Sequence, residues 1–306
     1  MTTLGELIDR TLRDWLEPAD DQPTRLVLAE TIDEDDLTGI SYDADLIGPE
    51  ELEILGPGTL VEMGSEEALI ASIDESASTI DFSARGVNGT VPADHDAGSF
   101  IYPHRVWRRR VLFDVLCDGV VGLYPDVYRT PVSASLAVAS TTYTEVPDAV
   151  IDDGIVGVRY FLGVPSGGTL YDQFPVRFIN PAPMVSNGKA IVVSGLGTGA
   201  TGYLAYKAKF LRPSDEDDDL TEDFGVLPEY ERIVMLEAVA YLVAGRELDI
   251  ATQERLSEQL EQQGYQAGTP SQIRDSLLRY RAVLIDRAQN ALRVEVPVAI
   301  SMMEPF

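Results

Sequence analysis

The segment Glu229–Ala244, EYERIVMLEAVAYLVA, is apolar on nearly every side when wound as a helix. Such a helix has no face to offer water, so it must lie at the centre of a folded unit with other elements packed around it. Pro228 suits its first turn and Gly245 its end. The rest of the chain has to supply its partners, and several segments qualify.

Four further helices are predicted. The first runs from Thr3 to Leu16, with Thr3 and Glu6 as a capping box and Leu4, Ile8, Leu12, Trp15 and Leu16 on one stripe. A second is expected between Tyr102 and Tyr124, with Val106, Arg110, Phe113, Cys117 and Val120 on one face and Pro125 stopping it. A third runs from Asp249 to Gln263 and ends at Gly264. A fourth opens on Thr269-Pro270-Ser271-Gln272, a second capping box, and carries the stripe Ile273, Leu277, Tyr280, Leu284 and Ala288.

Two other regions have the period of strands. Residues 24–103 alternate and turn repeatedly, with candidate strands at 25–30, 53–63, 67–73, 79–84 and 99–102. Pro57-Gly58, Gly64-Ser65 and Asn88-Gly89 are the turn signals, the last because both residues accept positive φ. Residues 130–212 are rich in Val, Thr, Ser, Gly, Pro and Tyr, with candidate strands at 132–140, 154–163, 170–179, 190–196 and 202–211. The acidic run Asp215–Asp219 follows, and a charge run of that kind predicts a solvated linker. The predicted class is α+β: a helical bundle of N-terminal, central and C-terminal helices with a β-hairpin region, plus an inserted antiparallel β-sandwich or barrel. Residues 1–129 and 213–306 would form the helical core, carrying the β region 24–103, and residues 130–212 the inserted domain. The 306 residues suffice for this without disulfide or metal staples.

Charge narrows the function classes. Asp and Glu number 51 against 23 Lys and Arg, a formal net charge of −28. A duplex-DNA binder working by counterion release needs a basic face, and docking on anionic lipid needs the same. The first hundred residues hold 24 acids and 4 arginines, a net of −20. No apolar run reaches a membrane span of about 18 residues. The N-terminus lacks the basic and apolar regions of a signal peptide, so a cytoplasmic site of synthesis is expected.

Few residues carry recognisable chemistry. Cys117 stands alone in VLFDVLCDG, which predicts a buried, inert thiol and excludes an intrachain disulfide. His95 and His104 are the only histidines, too few for a His-rich zinc site and a poor basis for a histidine-based hydrolase. The runs Asp33–Asp36, Asp94-His95-Asp96 and Asp215–Asp219 lack the ligand spacing of a calcium loop. Gly197-Thr198-Gly199-Ala200-Thr201-Gly202 matches a dinucleotide fingerprint, but the next residues alternate like a strand where the fingerprint needs a helix, so a hairpin or bulge is the better reading. Tyr203 and Lys207 have the spacing of a dehydrogenase pair, but a strand sets them about 13 Å apart. No catalytic residue, cofactor or metal ligand is assigned.

Two segments read as contacts. Arg105, Trp107, Arg108, Arg109 and Arg110 form the one dense basic cluster. It pairs either with the acidic N-terminal region of its own chain or with a partner, since Arg and Trp are enriched at interfaces. The C-terminal segment alternates through Val294, Val296, Val298 and Ile300 to Phe306, and with Pro297 it suits an edge strand or a docking arm.

The segment Arg85-Gly86-x-x-Gly89-Thr90-x-x-x-x-His95-x-x-Gly98 resembles a pattern of virion proteins from tailed bacteriophages, and Leu55-Gly56-Pro57-Gly58-Thr59-Leu60 fits the same set. Together with the antiparallel C-terminal helices, the chain resembles the head-to-tail adaptor, or connector, proteins of the phage neck. The resemblance implies a homo-oligomeric, dodecameric ring between a portal protein and a downstream neck or tail protein. It also implies a location in the virion after assembly in a bacterial host's cytoplasm, and DNA met only as passing cargo. The motif also occurs in other tail and baseplate proteins, which is the first alternative; a carbohydrate-active enzyme with a sugar-binding β domain is the second.

Overall fold

The computed structural model describes residues 2–17, 25–43, 55–103, 105–139, 143–163, 172–244, 250–265 and 268–294. Its α-helices are α1 (Leu4–Thr11), α2 (Arg109–Val121), α3 (Asp148–Asp152), α4 (Pro228–Val243), α5 (Ile250–Gln262) and α6 (Pro270–Val294). A π-helical turn at Leu12–Leu16 extends α1. The Thr3–Glu6 capping box forms in both directions, at 3.1 and 3.2 Å. As its composition requires, α4 is buried nearly all round, and α1, α2 and α6 pack on it. Their buried faces make one apolar cluster, which includes Leu4, Trp15, Leu116, Val234, Leu277 and Leu292.

The first β region is a single six-stranded antiparallel sheet. Its strands are β1 (Leu26–Val27), β2 (Ile40–Ser41), β3 (Leu60–Met63), β4 (Glu66–Asp74), β5 (Thr79–Ala84) and β6 (Phe100–Pro103), in the order β1-β6-β3-β4-β5-β2. β6 returns between β1 and β3, with Leu26 opposite Ile101 and Val61 opposite Pro103. The sheet closes over its own core of Leu26, Ile32, Met63, Ile70, Phe82, Ile101 and their neighbours.

The second β region holds two antiparallel sheets. One contains β7 (Leu136–Ala137), β9 (Ile155–Gly163), β10 (Asp172–Phe174) and β13 (Thr201–Ala208), in the order β10-β9-β13-β7. The other is β11 (Val176–Ile179), β12 (Ala190–Val193) and β8 (Thr144–Glu145). A third apolar cluster, with Phe161, Ile191 and Leu204 at its centre, draws on both.

The expected class is therefore corrected. The fold is mixed α/β, with six α-helices among the described residues and antiparallel sheets that include a half-barrel, and not a helical bundle carrying hairpins and an inserted sandwich. The physical reason is the long-range pairing of β6. It turns what read as local hairpins into a sheet with a core separate from that of the helices.

Three local expectations are also corrected. The second helix starts at Arg109, so Arg105, Trp107 and Arg108 lie on the connection from β6 and not on a helix. The run Asp215–Asp219 is not a solvated linker: Leu4 N–H donates to Asp218 O at 3.1 Å and Gly5 N–H to Glu216 O at 2.8 Å, which ties the run to the first turn of α1. Val294 ends α6 and does not begin a strand. Val296, Val298, Ile300 and Phe306 lie outside the described residues, as does His104.

Candidate functional site

The motif that runs from Arg85 to Gly98 folds into a knot around one carboxylate. β5 ends at Ala84, and Arg85 turns inward. Gly86 takes φ +63°, and a Cβ there would lie 2.4 Å from Pro92 Cδ, so both backbone and space demand glycine. Asn88 and Gly89 take φ of 55° and 83° in a 3₁₀ turn at Val87–Gly89. The chain then returns so that His95 and Ile32 exchange backbone hydrogen bonds of 2.9 Å each.

Glu66, fully buried at the start of β4, lies at the centre. Arg85 donates Nε to its Oε1 at 2.9 Å and Nη2 to its Oε2 at 2.7 Å. The Gly86 N–H reaches Oε1 at 3.2 Å and the Ala93 N–H reaches Oε2 at 3.1 Å. His95 Nε2 lies 2.9 Å from Oε2 and, facing a carboxylate that only accepts, must carry the proton. The remaining Arg85 donors go to the carbonyls of Asp33 and Ala93. Next to it, Asn88 Nδ2 donates to Glu67, and the Glu67 N–H donates to Thr90 Oγ1 at 3.0 Å. The Gly98 N–H closes the loop on Leu28 O at 2.8 Å.

Burial alone would raise the Glu66 pKa. Hydrogen bonds from His95, Arg85 and the Ala93 N–H, with the Arg85 charge, outweigh it and bring the pKa down to about 2. With five donors on its two oxygens, Glu66 has no lone pair left for a substrate proton. What the arrangement does is fix a fourteen-residue loop to the sheet. Sequence reading singled out Arg85, Gly86, Gly89, Thr90, His95 and Gly98 but missed Glu66. A buried arginine requires a carboxylate, yet nothing local marked which acid would supply it.

The basic cluster is spent largely inside the chain. Arg105 donates Nε and Nη2 to Glu17, each at 2.8 Å, and Nη1 to Glu62. Arg109 donates Nε to Glu216 at 2.7 Å and also binds Asp9, while its N–H meets Glu62 at 2.7 Å. Burial lowers the pKa of both guanidiniums, but the carboxylates around them outweigh it and hold them charged. Burial is also the largest influence on Glu62 and raises its pKa against the pull of Arg105 and Arg109. Trp107 lies in the helical core. Of the two readings open from sequence, the structure shows pairing with the chain's own acids for Arg105 and Arg109, and Trp107 is buried. Arg108 reaches Glu67 at 3.4 Å and Arg110 reaches Asp114 at 3.5 Å while stacking on Phe113; both remain partly exposed.

The other candidates resolve structurally. Gly202 lies in β13, where a Cβ would fall 2.1 Å from Leu162 O, so close strand packing requires that glycine. Lys207 Nζ sits 4.5 Å from the Tyr128 ring centroid, on a strand. Burial pushes the Cys117 thiol up to about 12, and the residue is fully buried. At the join between the second β region and the helices, Arg129 binds Asp153 at 2.7 Å and Tyr206 Oη donates to the same carboxylate at 2.6 Å. Burial, with that hydrogen bond, raises the tyrosine's pKa. Among the described residues, no group of three or more His, Cys, Asp or Glu is placed to hold a metal ion.

These features define a mixed α/β protein with antiparallel sheets, three apolar cores and a carboxylate-centred loop. No protein-family model matches the chain, and no curated protein matches it.

Proposed function

We propose that this chain is a structural virion protein of a tailed bacteriophage, a head-to-tail adaptor that forms a ring between portal and tail and lines the channel through which DNA leaves. The observation that carries the reading is the Arg85–Gly98 motif. Arg85, Gly86 and His95, which carry the resemblance to phage virion proteins, take defined places in the knot around Glu66, which supports the reading. Charge supports it. A net of −28 keeps passing DNA from adhering to the wall by Coulomb repulsion. No helix among the described residues is long and apolar enough to cross a membrane. Further copies of the chain, a portal protein and a tail protein are its proposed partners. Dodecameric stoichiometry, assembly in the bacterial cytoplasm and residence in the virion neck belong to the same proposal.

The six-stranded sheet favours a second reading within this class. The resemblance implied a helical bundle, and a separate N-terminal sheet is a departure from it, so another tail or baseplate component is the alternative.

Electron microscopy of the purified protein, alone and mixed with portal protein, tests the assignment. Closed rings that cap the portal are expected. Labelling at the distal tail tip would replace the adaptor by the baseplate reading. A monomer that turns over a sugar, ester or nucleotide, with the activity lost on one point substitution, would overturn both.

A further inference from the structure

α6 ends at Val294, the last residue the structure describes, and twelve residues follow it in the sequence. They include Val296, Val298, Ile300, Met302, Met303 and Phe306, and no lysine or arginine. A segment of this composition gains by burying its side chains against an apolar surface.

A groove of about 270 Å³ opens where α6 ends, at the meeting of its last turn, the entry to α4 and the entry to the second β region. Leu292, Tyr230, Leu227, Tyr128 and Pro131 supply its apolar wall. Leu292 and Tyr230 are buried, whereas Leu227, at the N-terminal cap of α4, is 41% exposed. Arg129 contributes its alkyl stem and not its charge. Its guanidinium donates to Asp153 and to Lys209 O, each at 2.7 Å, and the stem runs past Gly225, where an added Cβ would fall 2.8 Å from Arg129 Cδ. Thr130 and Glu222 complete the lining. Leu292 lies two positions before Val294, so the following segment starts beside the groove. Val298 can lie no more than about 14 Å from Val294, at about 3.5 Å per residue. Pro297 disfavours helix at Val296, which turns the chain off the axis of α6.

We infer that residues 295–306 dock in this groove of their own chain, with apolar side chains from Val296, Val298 and Ile300 packed beside Leu227. A second copy carries the same segment. The chain's own segment has the advantage of a short tether, which sets its effective concentration at about the millimolar level. It also binds without bringing up a second chain of net charge −28 against mutual repulsion. Docked in this way, the segment is withheld from other chains. The inference is independent of the adaptor reading above.

Disulfide trapping in the full chain tests it. Leu227→Cys is combined in turn with Val296→Cys, Val298→Cys and Ile300→Cys, while the fully buried Cys117 stays out of the reaction. Bridging needs the two Cα atoms within about 7 Å, so under mild oxidation at least one pair should close inside the monomer about tenfold or more faster than a control. The control is Val91→Cys/Val298→Cys, since Val91 is 76% exposed in the N-terminal β region. In a second measurement, Leu227→Asp alone should speed elastase cleavage within residues 295–306 by about the same factor, with circular dichroism confirming that the variant is folded. The inference is overturned if all three pairs close no faster than the control, or if Leu227→Asp leaves the cleavage rate unchanged. Disulfides that form only between chains, when Leu227→Cys and Val298→Cys proteins are mixed, would give the groove to a second copy and overturn it as well.

Discussion

Arg85 and Glu66 meet fork to fork: Nε lies 2.9 Å from Oε1 and Nη2 lies 2.7 Å from Oε2, with the two side chains 2% and 0% exposed. A buried pair of this kind is weak evidence of net stabilisation, because desolvating both ions offsets most of their attraction. Its breakage is another matter, since whichever partner remains is an uncompensated buried charge.

Arg85→Ala should therefore cost about 3–5 kcal/mol in chemical denaturation. Arg85→Lys should recover little of this, because a lysine cannot satisfy both oxygens and the Asp33 and Ala93 carbonyls at once. A loss below about 1 kcal/mol for Arg85→Ala would show that the knot does not hold the sheet.

The same pair sets the acid limb of stability. The folded pKa of Glu66, about 2, lies below its ordinary value of 4.5. The stabilisation is thus fully present above pH 4.5 and is lost as pH falls through about 2. It amounts to roughly 3 kcal/mol at about 1.4 kcal/mol per pH unit of difference. In Glu66→Gln, stability measured from pH 5 to pH 2 should fall less steeply than in wild type. Parallel slopes would place the acid-labile group elsewhere.

The two glycine-rich readings of residues 197–202 separate cleanly. A Cβ on Gly202 would lie 2.1 Å from Leu162 O, whereas one on Gly197 meets nothing within 4 Å. Gly202→Ala should destabilise by about 3 kcal/mol or more as the strands are forced apart. Gly197→Ala should stay within about 0.5 kcal/mol. A phosphate-cradling loop would instead be sensitive at both positions in nucleotide binding.

Cys117 reports on the helical core. It is fully buried with a thiol pKa of about 12, so it should resist alkylation at pH 8 in the native protein and react at the rate of a free thiol once unfolded. Rapid native labelling would mean that α2 opens from α4.

Arg109 joins three segments: α2, α1 through Asp9, and the acidic run through Glu216. Arg109→Glu should lower the thermal midpoint by several degrees, and high salt should not reproduce the effect in wild type, because the guanidinium is largely buried. Arg108→Glu, at a partly exposed position, should change the midpoint little.

Much of the local structure follows from sequence alone. The Thr3–Glu6 box, the all-round apolar α4, the α6 stripe and strand β5 depend on residues within a few positions of one another, where propensity, capping and period act directly. The positive φ of Asn88 and Gly89 and the burial of Cys117 were legible for the same reason. Tertiary structure alone decided the rest. β6, at one end of an eighty-residue region, pairs with β1 at the other end and with β3 in the middle, and no local signal encodes that pairing. Glu66 became the partner of Arg85 and His95, and Glu17, Glu62 and Glu216 became partners of the arginine cluster, because the fold brings them within hydrogen-bond reach across 19 to 107 positions. In a chain with 51 carboxylates, sequence states that arginines will find acids. Which acids they find depends on distances that exist only once the sheet and the helices have packed.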